Sequence, residues 1–167
     1  MKTWLTSILS LSFLLASLPL FSSLAAPQKP AEPTAKSVPE PSKPDCETYH
    51  AGPWEQRIGY SQAVRCGRML YISGTTGVNA EGKPDDLDGQ MKNAYAAIQK
   101  TLAYYKTDVS HVVMERIYAT DIEALIRSQE TRKHFYGDRL PAATWVEVRR
   151  LYSAADKIEI ELQVALD

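Results

Sequence analysis

Cys46, Cys66 and the histidines at positions 50, 111 and 134 are the side chains of this 167-residue chain with the most reactive chemistry. The cysteines allow either a disulfide or two free thiols, and their spacing does not decide between these. Closing a loop of that length would stabilise the fold by roughly 3 kcal/mol in the chain-entropy model. No histidine stands at a ligand spacing from a cysteine, and there is no CxxC, so the pattern supports no metal site. A second feature is the stretch PAATWVEVRR, residues 141–150. Its alternation reads as a strand, which puts Ala143 and Trp145 on one face. An indole there serves either interface packing or stacking on a ligand. Arg149 shares that face by parity, but roughly 20 Å of extended chain separates it from position 143.

The elements that must position these residues are legible as periodicities. YSQAVRCGRMLYISGT reads as a hairpin turning at Gly67. GVNAEGKPDDLDG is a loop whose turn residues are Asn79, Gly82 and Pro84. In QMKNAYAAIQKTLAYYK, Met91, Ala94, Tyr95, Ile98, Leu102 and Tyr105 recur at helical spacing. Asp85, Asp86 and Asp88 suit that helix's N-terminus. HVVMERIYAT reads as a third strand. Asp121 is placed to cap a second helix, IEALIRSQETRKHFY, with Ile122, Leu125, Ile126 and Phe135 inward and Gly137 ending it. KIEIELQVAL alternates strictly, with Ile158, Ile160, Leu162 and Val164 on one face and Glu159 on the polar one. Alternation alone makes Glu159 a solvated or ion-paired residue. The pattern predicts an α+β fold: one mixed sheet with two helices on one face. The bare face, expected to carry Tyr71 and Trp145, needs cover, and a second subunit would supply it.

Length suits one domain with a core, and the net charge of −1 supplies no basic stripe for nucleic acid. Residues 1–25 read as a signal peptide: Lys2, an apolar run, then the small residues SSLAA. That run is short, broken by Pro19 and followed by no basic stop-transfer cluster, which disfavours a membrane anchor. Residues 26–45 hold 6 of the chain's 10 prolines and read as a tether. The domain is therefore expected at 46–167, in an exported, periplasmic or secreted protein.

The pieces IGYSQAV, LYISGTTGVNAEGK, IYATDIEAL, RLPAATWVEV and KIEIELQVAL together resemble the Rid family, also called YjgF or L-PSP. The resemblance runs from Ile58 to Leu166. It implies a chorismate-mutase-like fold, a homotrimer with three clefts between subunits, and no cofactor. It also implies hydrolysis of reactive enamines and imines to a 2-oxo acid and ammonia. Residue by residue, it makes Tyr60 and Gly74 cleft-lining, puts Gln129 where a helix asparagine stands, and makes Glu159 the residue that positions water. The usual Gly-Pro-Tyr is shortened here to Gly59-Tyr60.

One departure bears on the reaction. In the family pattern an arginine follows Pro-Ala and forks the substrate carboxylate, as planar bidentate recognition requires. Here Ala143 follows Pro141-Ala142, and Trp145 stands where a small residue is usual. If that face lines the cleft, the fork is gone and an indole fills part of the space. Arg139 is the remaining nearby cation. The expectation is a small-ligand binder without 2-aminoacrylate deaminase activity. The alternative is hydrolysis of a different imine through Glu159 and water.

Overall fold

A computed structural model describes residues 45–78 and 86–167. The signal peptide, nearly all of the tether, and the loop residues Asn79, Gly82, Pro84 and Asp85 lie outside the described residues. The elements are β1 (Cys46–Tyr49), α1 (Pro53–Ile58), β2 (Ala63–Cys66), β3 (Met69–Thr76), α2 (Leu87–Tyr104), a 3₁₀ turn (Val109–His111), β4 (Val112–Ala119), α3 (Ile122–Arg127), α4 (Gln129–Tyr136), β5 (Ala142–Glu147) and β6 (Ile158–Ala165).

The six strands form one mixed sheet in the order β1-β2-β3-β6-β4-β5. Every pairing is antiparallel except β4 with β5. β6 lies between β3 and β4, so α2 carries the chain over the inserted last strand. Apolar residues of the helices and one sheet face form a single core. Ile158, Ile160, Leu162 and Val164 all point into it and are essentially unexposed. Each such side chain contributes about 1.5–3 kcal/mol on burial. From α2, Met91, Ala94, Tyr95, Ile98 and Leu102 cover them, as the helical spacing predicts. Asp86 caps α2 by accepting from Gly89 N at 2.8 Å, and Asp121 caps α3 by accepting from Ala124 N at 2.8 Å.

Two features differ from the sequence reading. The second helix breaks at Ser128, which ends α3 and begins α4. The break rotates Ile126 outward to 44% exposure, while Arg132 and Tyr136 turn inward. Two short N-terminal elements precede the hairpin. β1 pairs with β2 so that Cys46 stands opposite Cys66, and these two cysteines form a disulfide. α1 starts with Pro53 at its first turn and stops at Gly59, whose φ of 98° is left-handed. Among the described residues no helix is long and apolar enough to cross a membrane.

Candidate functional site

The site begins with an irregularity in β3. Its register against β6 shifts between Ile72 and Thr75, so Ser73 and Gly74 together oppose Glu161. Such a bulge bends the strand and re-aims its side chains. Ser73 is held by its neighbours: its N donates to Gln62 O at 2.9 Å and its Oγ to Ser61 O at 2.7 Å. Gly74 then leaves open the space that the Glu159 side chain fills. A Cβ on Gly74 would stand 1.8 Å from Glu159 Oε1 and 2.9 Å from its Cγ.

Tyr60 arrives by a different route. Buried Glu55 in α1 accepts from Ala51 N at 3.1 Å and from Gln62 N at 3.0 Å, and its other near neighbour is His50 Nδ1 at 3.3 Å. This carboxylate ties the ends of the α1 segment together. Gly59 and Tyr60 both donate their N–H to Glu55 O. The turn so fixed delivers Ile58 and Tyr60 to the bulge.

A cavity of about 350 Å³ results. Ile58 and Tyr60 wall one side, Ser73, Gly74 and Thr76 the next, and Tyr152 and Asp156 of the β5–β6 loop the third, with Glu159 projecting from β6. Two carboxylates line it, and among the described residues no lysine, arginine or histidine does. Half-burial holds the Glu159 carboxyl above its usual pKa, and the charges of Asp156 and Glu161 push it the same way. Burial likewise raises the Tyr60 phenol, with Glu55 and Glu159 adding to it against a lowering hydrogen bond from Trp54. The cavity can therefore hold a proton on Glu159, position a water, or receive a cationic or neutral polar group.

Tyr60, Gly74 and Glu159 thus converge, but the other three expected site residues do not join them. Gln129 is exposed at the first position of α4. Ala143 and Trp145 do share a face, but it is the helix-covered one. Across the parallel β4–β5 pair, Ala143 mates with Glu115 and Trp145 with Ile117, both of which point into the core. Glu159 mates with Tyr118, which mates with Val146, so the open face of β5 carries Thr144 and Val146. Trp145 therefore does not fill the Glu159 cavity of its own protomer, nor does it contribute to the bare face. Its ring packs on the core edge, with the Arg132 guanidinium 5.5 Å from the ring centroid.

That inward placement follows from a buried polar cluster. Glu115 is wholly buried and accepts from Tyr95 Oη and Tyr136 Oη at 2.8 Å each and from Arg132 Nε at 2.5 Å. Burial, reinforced by the Glu115 charge, drives both phenols far above their usual pKa, so they remain protonated donors. On the open face, Arg116 is likewise committed, donating to Glu161, which also accepts from Tyr118 Oη at 3.3 Å.

Sequence reasoning missed Ile58, Ser73, Thr76, Tyr152 and Asp156. The bulge that gathers the β3 residues leaves no periodic trace, and Tyr152 and Asp156 lie in a loop without one. The SG pair inside a run of strand formers was the available signal.

Comparison with known proteins agrees with this architecture. Residues 54–166 match the family described as endoribonuclease L-PSP. A RutC family protein of Pyrococcus horikoshii is 31% identical over 98 residues, which is 55% of this chain and 75% of that protein. The RutC family protein YjgH of Escherichia coli is 27% identical over 104 residues, covering 62% and 79% of the two chains. Among solved structures, a Mycobacterium tuberculosis member of the YjgF/YER057c/UK114 family superposes with a TM-score of 0.65 at 30% identity, covering 72% of this chain and 99% of that one. A YjgF family protein of Neisseria meningitidis shares the fold, with a TM-score of 0.63 at 24% identity and coverage of 74% and 96%. A mixed six-stranded sheet with its helices on one face, matched over nearly the whole described domain, makes this chain a member of the L-PSP (YjgF/Rid) family.

Proposed function

We propose that the protein is a homotrimer that binds a small ligand in the Glu159 cavity, without 2-aminoacrylate deaminase activity. One observation carries this reading: among the described residues, the cavity that unites Tyr60, Gly74 and Glu159 is lined by two carboxylates and by no cation. A 2-imino acid bears its carboxylate one bond from the reacting carbon. In this cavity that carboxylate meets like charge and no fork, which disfavours it. A neutral or cationic polar group fits better.

Assembly enters through β5, an edge strand whose outer side is unpaired in the protomer. Ala143 is exposed near its start and directed away from the Glu159 of the same chain. A residue there would reach a cavity only in a neighbouring subunit, which suits the clefts between subunits that the family resemblance implies. The bare face carries exposed Tyr71 and Val146, apolar surface suited to cover by another copy. We further read the protein as exported. The N-terminal sequence supports this, and a structural disulfide belongs in an oxidising compartment.

A thermal-shift screen of small amines, amides, aromatic cations and carboxylates tests the binding reading. Stabilisation by amines or amides, lost in Glu159→Gln, is expected. Stabilisation by simple 2-oxo or 2-amino carboxylates alone would contradict it. The second reading, hydrolysis of a different imine, is favoured by the raised pKa of Glu159, which suits a group that exchanges a proton with bound water. Ammonia release that survives in Glu159→Gln would remove it.

A further inference from the structure

The loop between β5 and β6 separates two depressions of opposite charge. On one side is the acidic Glu159 cavity. On the other, Arg149, Arg150 and Lys157 surround a depression of about 370 Å³, together with Thr120, Ser153 and Asp156, which lines both depressions. No carboxylate lies within ion-pair distance of these three cations among the described residues. The Asp156 carboxylate faces the same loop but accepts from Ser153 N at 2.9 Å, so the loop backbone uses part of its hydrogen-bonding capacity. Arg150 makes a single long bond, from Nη2 to Tyr152 O at 3.4 Å. Three cations set against one carboxylate, which ion-pairs with none of them, leave the depression net positive and a site for anionic oxygen.

The two depressions adjoin through shared walls. A third, lined by Tyr118, Val148, Arg150, Leu151, Tyr152 and Glu159, shares Tyr152 and Glu159 with the acidic cavity and Arg150 and Leu151 with the basic one. The path of the chain explains why Arg150 joins it. Val146 is on the open face with Tyr118 and Glu159, and Val148 extends the ladder by donating its N–H to Ala119 O at 2.8 Å. β5 ends at Glu147 and the chain bends at Arg149, which sets Arg150 beside Tyr118 and Glu159 in the connecting depression.

We infer that the ligand is dipolar, with a cationic or imine nitrogen at Glu159 and a carboxylate or phosphate held by Arg150, aided by Arg149 and Lys157, several bonds away. This rests on the reading of the Glu159 cavity as a binding site. It moves the anion-binding role from the missing arginine at position 143 to the other end of β5. It also changes the ligand class, from a 2-imino acid held at its own carboxylate to a molecule whose anionic group lies apart from the nitrogen at Glu159.

The test is calorimetric titration of the full-length protein with an ω-amino acid series from glycine to 6-aminohexanoate. Alkylamines of matching length and 3-aminopropylphosphonate are run beside it, the phosphonate distinguishing a phosphate-type group from a carboxylate. Affinity is expected to rise with length and to exceed that of the matching alkylamine by about tenfold, the effect of one charge-assisted hydrogen bond. Arg150→Ala should reduce the longer members to the alkylamine level, and Glu159→Gln should weaken both. Amines that bind through Glu159 with no gain from the distant anion would overturn the inference and leave the cavity reading intact. Tightest binding by glycine would also overturn it. No Glu159-dependent binding of any amine would defeat both.

Discussion

The Glu159 carboxyl lies directly over Gly74, in the space that a side chain on Gly74 would need. Neither residue makes the site alone. The bulge at Ser73–Gly74 opens the gap, and Glu159, from the adjacent strand, fills it. Gly74→Ala should therefore displace the carboxylate while leaving the backbone, which is not in the left-handed region there, unstrained. We expect Gly74→Ala to lose about as much amine binding as Glu159→Gln. Its stability should fall by about 1–3 kcal/mol, as for other overpacked sites. Calorimetry and denaturant unfolding on the same samples measure both.

The raised pKa of Glu159 gives stability a defined pH dependence. The folded protein retains this proton after the unfolded chain has lost it. Stability from this group is therefore full below the unfolded pKa and declines as pH rises through the folded pKa. Glu159→Gln removes that decline. The variant should match the parent in melting temperature near pH 3.5 and exceed it at pH 7. A variant less stable than the parent at pH 7 would show that Glu159 is held by a favourable partner instead.

Buried Glu115 and Arg132 compensate each other's charge beneath β5. Glu115→Gln leaves a buried guanidinium unpaired and should cost about 3–5 kcal/mol in chemical denaturation. Combining it with Arg132→Met should recover part of that loss, since an apolar pair leaves no charge unsatisfied. Trp145→Phe, by contrast, should cost less than about 1 kcal/mol. Trp145 Nε1 is buried without a hydrogen-bond partner, so no bond is lost with it. Amine binding should be unchanged in Trp145→Phe, because the indole packs on the core edge beside Arg132.

The Cys46–Cys66 bridge closes a sequence separation of 20 residues and pins β1 beside β2. Replacing both cysteines with serine should lower stability by about 3 kcal/mol. Loss of β1 should also loosen the α1 segment that supplies Ile58 and Tyr60. Unfolding curves of the oxidised, reduced and double-serine forms should place the last two together.

What the sequence made legible depended on how long each pattern ran. β6 alternates over eight residues and α2 repeats over five turns, so both faces could be read directly. β1 and α1, of four and six residues, are shorter than any period can reveal. Position 128 offered no proline or glycine to mark the helix break. Alternation showed that Ala143 and Trp145 share a face but not which one. The neighbour that decides it, β4, hides its own inner face twice: a bulge between Val112 and Met114 breaks the parity, and a buried glutamate stands where an apolar residue would mark the core. Of the site, Tyr60, Gly74 and Glu159 were reached through family likeness. The cations at 149, 150 and 157 required the path of the β5–β6 loop.

The most direct test is ammonia release from 2-aminoacrylate generated in place, with the native protein and Ala143→Arg run side by side and their oligomeric state followed by sedimentation. A trimer with no detectable release by the native chain is expected, and a gain of release when an arginine is restored at position 143. Robust release by the native protein would contradict it, because the substrate carboxylate would then be held by a group other than the missing fork.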